Sequence, residues 1–366
     1  MKLSVIILNY NVRYFLEVCL RSVEAAITSI DAEIIVIDNN SPDHSCTMVK
    51  ELFPSVKLIE NKENSGFSKG NNIGVAQAKG EYLCILNPDT IVAEDTFTKL
   101  FKFAETQTNL GIVGCQLIDG QGNFLPESKR HIPTPKVALK KILGLTNDYY
   151  VNHIDVNNTG KVDILVGAFM WLKKEVYDAV GGFDEAYFMY GEDIDLSYKV
   201  IKAGYDNFYY GNTTVIHFKG ESTLKDSKYA KRFYGAMQIF YKKHFKQNLL
   251  FNAVVWLGIK MAFLMRKNPK DVKVVPNHSY LYSMDSDLIL SQKLPKPIEL
   301  KDNIQLNVKN DSLIVYDFKL LNASDVIADM KQKSKQEAIV FRFLTKNCKF
   351  ILGSDSASNK GEVLHF

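Results

Sequence analysis

The chain has 366 residues, above the ~250–300 at which a single hydrophobic core usually stops growing, so two domains, or one domain with an extension, are expected. Hydrophobic residues make up 46% and charged residues 23%, an ordinary balance that excludes a mostly disordered or fibrous protein. The formal net charge of +4 argues against a protein built to coat nucleic acid, and no nucleic-acid partner is expected.

Ser4 to Leu8 is a continuous apolar, β-branched run, as expected of a strand buried on both faces. The run is too short for the core of a signal peptide, and Asn9-Tyr10-Asn11 follows it with no small-residue cleavage site, so a cytoplasmic chain is expected. The five cysteines (Cys19, Cys46, Cys84, Cys115, Cys348) are odd in number and far apart, which disfavours a disulfide framework or a zinc cluster and fits a reducing compartment. Tyr14 to Ala26 has helical periodicity, and Glu33 to Ile37 is a second strand ending at Asp38. A helix over Ser45 to Phe53, a strand over Val56 to Ile59, a short helix over Asn71 to Ala78 and a strand over Tyr82 to Leu86 follow. Thr96 to Thr106 reads as a helix and Gly111 to Cys115 as a strand. Alternation at this spacing predicts an α/β, Rossmann-like fold: a mostly parallel sheet with helices on both faces.

In such sheets ligands bind beyond the carboxyl ends of the strands. Four polar sets fall there: Asn9-Tyr10-Asn11, Asp38-Asn39-Asn40, Asn61 to Gly70, and Asn87-Pro88-Asp89. Loop residues are usually polar, so each set alone says little; their placement along one edge points to a nucleotide-sized site. From Gln116 to Lys161 prolines and glycines predict loops over the sheet, around an acceptor groove. Order returns over Val162 to Lys173, in a helix near Asp193 to Ala203, and in the strand-like Thr213 to Ile216 before His217.

Lys228 to Lys270 holds ten Lys/Arg and no Asp/Glu, so this window is +10 and the remainder −6. Within it Leu249 to Met265 is apolar but carries Asn252 and Lys260, and its flanks are basic on both sides, without the asymmetry of a spanning helix. The segment reads as a helix lying in a bilayer interface, or as a buried helix packed on the main domain with a solvated basic flank. Pro269, Pro276, Pro295 and Pro297 then mark a linker. Strands near Ile304–Val308, Leu313–Phe318, Ala338–Phe343 and Phe350–Gly353, with a helix near Ser324–Lys333, form a small α/β unit. The expected plan is a domain over 1–227, a basic helical segment over 228–270, a linker over 271–299 and a C-terminal unit over 300–366.

Three groups of residues could carry chemistry. Asp89, after a buried strand and beside Asn87, suits a divalent cation bridging a diphosphate, since Mg²⁺ and Mn²⁺ take oxygen ligands and usually share them with phosphate; on spacing alone a Pro-Asp turn is the better account. Glu192-Asp193-Ile194-Asp195 puts three carboxylates in four residues at a helix start, either as a capping device or as a source of one general base. The aromatics before it (Phe183, Tyr187, Phe188, Tyr190) suit sugar faces and core packing equally. His217 is either a satisfied structural histidine or a metal or diphosphate contact. The loop Asn64 to Gly74 is neither a P-loop nor a dinucleotide fingerprint, so kinase and dehydrogenase readings lose support.

Taken together, Val5 to Asn11, Ile35 to Ser41, Asn64 to Gly74, Leu86 to Thr90, and Gly182 to Glu185 with Tyr190 to Leu196 resemble glycosyltransferase family 2, over roughly residues 1–225 and closest to its rhamnosyltransferase-like branch. The resemblance implies the GT-A fold for 1–227 and an inverting transfer from a nucleotide-diphospho-sugar. Asn9, Asn11, Asp38, Asn64, Gly66, Gly70, Asn71 and Asn87 are the donor contacts it implies. Asn87 and Asp89 would occupy the family's D-x-D positions, with Asn87 in place of the first Asp, and Asp89 with His217 would hold Mg²⁺ or Mn²⁺. Asp193 would be the catalytic base, with Asp184, Tyr190 and Glu192 near the acceptor. The acceptor implied is a saccharide, lipid-linked in many relatives, used in cell-surface polysaccharide synthesis at the cytoplasmic face of the inner membrane, where the basic helix would make the chain peripheral. The alternatives are a nucleotidyltransferase, which would want a glycine- and basic-rich loop where this chain has Asn9 to Arg13, and a non-catalytic sugar- or nucleotide-binding module.

Overall fold

The structure, a computed structural model, describes residues 1–142, 144–221, 227–245, 275–283, 288–301, 304, 307–345, 349–356 and 360–366. The first domain is built on β1 (Leu3–Asn9), β2 (Ala32–Asp38), β3 (Lys57–Glu60) and β4 (Tyr82–Leu86), joined by α1 (Arg13–Ile27), α2 (Ser45–Leu52) and α3 (Gly66–Val75). These strands are parallel in the order β3-β2-β1-β4. β5 (Thr90–Val92), α4 (Thr96–Ala104), β6 (Leu110–Ile118), α5 (Pro135–Ile142) and β7 (Thr159–Lys161) come next, then β8 (Phe169–Lys173), α6 (Lys174–Ala179), α7 (Glu192–Lys202), β9 (Asp206–His217) and α8 (Ser227–His244).

Both faces of the sheet are covered, and the pleat shows why β1 is apolar throughout. Leu3, Val5 and Ile7 point to one side, against α1, α2 and α4; Ile6 points to the other, with Ile35 and Ile37, against α3, α6 and α7. Each such side chain contributes roughly 1.5–3 kcal/mol on burial.

β8 is the element that shapes the site. It runs antiparallel between β4 and β6, while β6 and β9 are parallel to each other. The amino end of β8 therefore lies with the carboxyl ends of β1, β2, β4, β6 and β9. Asn87 donates its N–H to Ala168 O there at 3.0 Å.

The helix expected over Asn71 to Ala78 starts earlier, at Gly66. Its glycines serve packing: a Cβ on Gly70 would stand 2.4 Å from Leu8 Cδ1, and one on Gly74 2.4 Å from Ile37 Cδ1. Glycine at both positions lets the backbone of α3 pack directly on the side chains of Leu8 and Ile37.

The basic segment begins with α8, which packs on the first domain through Ala236, Met237, Phe240 and Tyr241, against Ile164, Tyr187 and Ile194. The stretch Leu249 to Met265 lies outside the described residues. Among those described, no helix is long and apolar enough to cross a membrane.

The linker expected over 271–299 holds β10 (His278–Tyr282) and α9 (Leu288–Lys293), and β11 (Ile298–Lys301) begins in it. Its prolines bracket these elements, Pro297 standing just ahead of β11 where a strand tolerates it. Neither Ile304 nor the pair 307–308 is in a strand. β12 (Ser312–Asp317), α10 (Ala323–Lys333), β13 (Ile339–Leu344), β14 (Phe350–Gly353) and β15 (Glu362–His365) complete a second sheet, in the order β11-β10-β12-β13-β14-β15.

This second sheet is docked on the first domain. Val12, Phe15, Val18, Ile91 and Phe218 share a core with Tyr316, Val326 and Phe343. Glu94 reaches across to accept the N–H groups of Ala323 (2.6 Å) and Ser324 (3.1 Å), so a carboxylate of one domain caps a helix of the other.

Candidate active site

Asn9 at the end of β1 and Asp38 at the end of β2 are buried side by side, and Asn9 Nδ2 donates to Asp38 Oδ1 at 2.6 Å. Asp38 Oδ2 accepts from Ser41 N at 2.8 Å, and Ser41 Oγ accepts from Asn11 N at 3.0 Å. The pair thus ties two strand ends together. Asn39 extends the tie to α3 by donating to Gly66 O at 3.1 Å. Gly66 itself has φ +81°, and a Cβ there would stand 2.5 Å from Phe188 O. Only glycine lets the start of α3 meet the 187–190 segment, where Phe67 N donates to Phe188 O at 2.7 Å.

After β4, Asn87, Asp89 and His217 converge. Pairing of β5 with β9 sets Thr90 opposite His217. His217 Nε2 then lies 3.4 Å from Asp89 Oδ1 and 3.3 Å from Asn87 Nδ2. Both Asp89 and His217 are buried.

Asp193 sits in the first turn of α7, after Tyr190 (φ 70°) and Gly191 (φ 78°), two successive left-handed residues that turn the chain sharply. A non-glycine there costs on the order of 1 kcal/mol. Asp193 Oδ2 accepts from Arg130 at 2.7 Å and from Gly167 N at 3.3 Å. Asp89, His217, Asn87, Glu192 and Asp193 all line one cleft of about 400 Å³, within the size range of small-molecule sites.

Residues 4–181 match the family described as Glycosyl transferase family 2. The domain they form belongs to that family. The chain is 26% identical to N-acetylglucosaminyl-diphospho-decaprenol L-rhamnosyltransferase of Mycobacterium tuberculosis, over 61% of this chain and 78% of the relative. It is 29% identical to rhamnosyltransferase WbbL of Escherichia coli, over 42% of this chain and 61% of the relative. Among solved structures, mannosyltransferase PcManGT from Pyrobaculum calidifontis in complex with GDP-Man and Mn²⁺ aligns over 72% of this chain and 73% of its own, with TM-score 0.48 and 19% identity.

The α/β architecture expected of the first domain is present, and its cleft draws together some expected residues and not others. Asn64, Gly66, Asn87, Asp89, Tyr190, Glu192, Asp193 and His217 line it. Asn9 and Asp38 are not among its lining residues and bind each other. Asn11 binds Ser41. Gly70 and Asn71 are inside α3, where Asn71 Nδ2 donates to Phe67 O at 3.0 Å. Asp184 pairs with Lys243 of α8 and accepts from Ala186 N, away from the cleft. The acidic run divides: Glu192 and Asp193 face the cleft, whereas Asp195 is buried against α8, with His244 Nε2 at 2.6 Å and a hydrogen bond from the Tyr187 hydroxyl at 3.2 Å.

Sequence reasoning passed over a set of residues in the loose 116–161 stretch. Arg130 is buried and binds Leu165 O at 2.6 Å as well as Asp193. Glu127 pairs with Lys219, and Tyr149 and Lys141 stack, Lys141 Nζ lying 3.3 Å from the Tyr149 ring centroid. Burial opposes ionisation of the Tyr149 phenol, but Arg130 and Lys141 more than offset it and leave the phenol below its usual value. The one signal for a buried cation here was the acidic run itself, which required a counter-charge from elsewhere in the chain.

Among the described residues no trio of His, Cys, Asp and Glu stands close enough to hold a cation unaided. One carboxylate and one amide, each within 3.4 Å of the same imidazole, nonetheless match the partial donor set with which proteins bind Mg²⁺ or Mn²⁺ when phosphate completes the shell.

Proposed function

We propose that this transferase moves a sugar, with inversion, from a nucleotide-diphospho-sugar to a hydroxyl of a lipid-linked saccharide during cell-surface polysaccharide synthesis. The observation that carries the reading is that Asp89 and Asp193, far apart in sequence, line the same cleft. Asp193 takes the proton of the acceptor hydroxyl as its oxygen attacks the anomeric carbon in line. One C–O bond forms, the bond from the anomeric carbon to the diphosphate breaks, and the electron pair leaves with the diphosphate. General-base help of this kind is worth roughly 10²–10⁴-fold.

Asp89, His217 and the Asn87 amide would hold Mg²⁺ or Mn²⁺. A divalent cation held there supplies charge neutralisation for the leaving group. Asn64, Gly66 and Asn87 are the donor contacts that reach the cleft, with Asn9, Asn11, Asp38, Gly70 and Asn71 shaping the wall behind them. Tyr190 and Glu192 are on the acceptor side, together with Phe233 of α8. Asp184 acts on that side indirectly, by holding Lys243 and so α8.

The acceptor class is supported by the printed activity of the Mycobacterium tuberculosis relative, whose acceptor is lipid-diphosphate-linked. It is also supported by α8, which opens the basic 228–270 segment and lines the cleft, so that a bilayer surface held by that segment adjoins the acceptor side. The test is a thermal-shift screen of UDP-, GDP- and dTDP-sugars with Mg²⁺ or Mn²⁺, followed by transfer assays with the donor found. Asp193→Asn is expected to lower kcat by about 10³-fold without loss of donor binding. Full transfer activity in that variant would refute the base assignment.

A further inference from the structure

Two carboxyls, Glu192 and Asp193, are adjacent in the chain and line the same cleft, and both are nearly inaccessible (6% and 9% exposed). Like charges so close in a desolvated site cannot both ionise without large cost. One buried cation, Arg130 (6% exposed), is placed to choose between them. We infer that Arg130 is the positioning residue of the transferase: it binds Asp193 alone, fixes that side chain as the proton acceptor, and leaves Glu192 to hydrogen-bond the substrate. The inference rests on the reading of Asp193 as base.

Arg130 anchors itself on Leu165 O at 2.6 Å and delivers the same nitrogen to Asp193 Oδ2 at 2.7 Å. Gly167 N, brought alongside by the reversed strand β8, donates to that same Oδ2 at 3.3 Å. Oδ2 therefore has two donors. Oδ1 has one, the N–H of Ile194 at 2.8 Å, and keeps a lone pair for the acceptor proton. Charge-assisted bonds of this kind fix geometry as well as charge.

Glu192 has no such partner. Its Oε2 is buried without a hydrogen bond among the described residues. Burial first, and the charge of Asp193 second, push its carboxyl up to about 8, against the opposing pull of its own backbone N–H and of Arg130. Raised in this way, it holds its proton to higher pH than an ordinary glutamate and can offer a donor O–H to the cleft. Adjacent carboxyls driven apart in this way divide the roles of base and hydrogen-bonding acid between them. The other ionisable groups that bear on this corner are Tyr149, which hydrogen-bonds Arg130, Lys141 beside Tyr149, and Glu127 beside Lys141, with Asp89, His217 and Lys219 lining the same cleft.

The experiment measures kcat and donor and acceptor KM from pH 5 to 9, with melting temperatures, for the wild type, Arg130→Lys, Arg130→Met, Glu192→Gln and Asp193→Asn. Arg130→Met is expected to lower kcat by about 10²-fold at unchanged donor KM, because Asp193 loses the charge-assisted bond that fixes its side chain. Arg130→Lys keeps the charge but not the two-point anchor, and is expected to fall between wild type and Arg130→Met; it carries the test if Arg130→Met does not fold. Glu192→Gln is expected to cost about tenfold, against about 10³-fold for Asp193→Asn, and to raise acceptor KM and remove any inflection near pH 8.

Unchanged kcat in Arg130→Met, or a loss of kcat in both Arg130 variants matched by equal losses of donor binding and melting temperature, would overturn the inference, since a merely structural arginine does not lower kcat selectively. Glu192→Gln as inactive as Asp193→Asn would overturn it too, by making Glu192 the base. Full activity in Asp193→Asn removes the base assignment itself, whatever the Arg130 variants do, so the two failures are distinguishable.

Discussion

Replacing Glu221 with glutamine probes how the second domain holds the loop that follows His217. Glu221 is 5% exposed, and its Oε1 accepts the N–H of Gly361, from the far domain, at 2.7 Å. Burial is the main cause that pushes its carboxyl up to about 8, against 4.5 for an ordinary glutamate, with the nearby negative charge of Asp89 adding to it. Between those values the folded chain keeps a proton that the unfolded chain has released. The folded state binds more protons, so stability is fully present below about pH 4.5 and is lost as pH rises toward 8. The slope is about 1.4 kcal/mol per pH unit, or roughly 3 kcal/mol between pH 5.5 and 7.5. Glutamine is neutral throughout and can accept the same N–H. Urea unfolding of both proteins at pH 5.5, 6.5 and 7.5 isolates the contribution of Glu221 from every other titrating group. The expected result is a difference in unfolding free energy, wild type minus Glu221→Gln, that falls by roughly 3 kcal/mol across the series. Parallel curves would show that Glu221 is ionised in the folded chain and refute the reasoning.

Two further outcomes are expected. Gly66→Ala puts a Cβ within 2.5 Å of Phe188 O at a φ of +81°, so it should cost at least about 2 kcal/mol in urea unfolding and raise donor KM, because the α3 start and the 187–190 segment must part; unchanged stability would refute the close approach. Neutralising the Lys/Arg of 228–270 should abolish co-sedimentation with vesicles rich in anionic lipid, the wild-type binding falling steeply with salt; equal binding of the two proteins would refute a membrane role for that segment.

The first half of the fold was legible because β1, β2 and β4 are buried on both faces, and a strand in that position has no choice but to be apolar throughout. Tyr82–Leu86 and Phe350–Gly353 have the bounds that reading predicts. Helix α3 was misread at its start because glycines usually mark loops, and only the packed sheet shows that Gly70 and Gly74 lie where a methyl group would strike Leu8 and Ile37. The strand β10 was hidden by prolines on either side of it, which read as a linker until the parallel partners β11 and β12 are seen.

The site divides along a similar line. Asn87 and Asp89, just after a strand, could be placed at the edge from periodicity alone, since the carboxyl end of a parallel strand is a position that sequence can specify, whereas His217 joined them only through the family resemblance. Arg130 could not. It comes from an irregular segment, and its importance follows from the reversal of β8, which turns residues 165–167 toward Asp193 and gives Arg130 the Leu165 carbonyl to stand on. No local pattern marks a residue whose function is set by the direction of a strand some 40 positions later. For the same reason the three carboxylates of the acidic run looked equivalent in sequence. One helical turn, with Arg130 on one side and His244 on the other, makes Asp193 an ion-paired group in the cleft, Glu192 a group whose Oε2 has no hydrogen bond among the described residues, and Asp195 a buried support of α8.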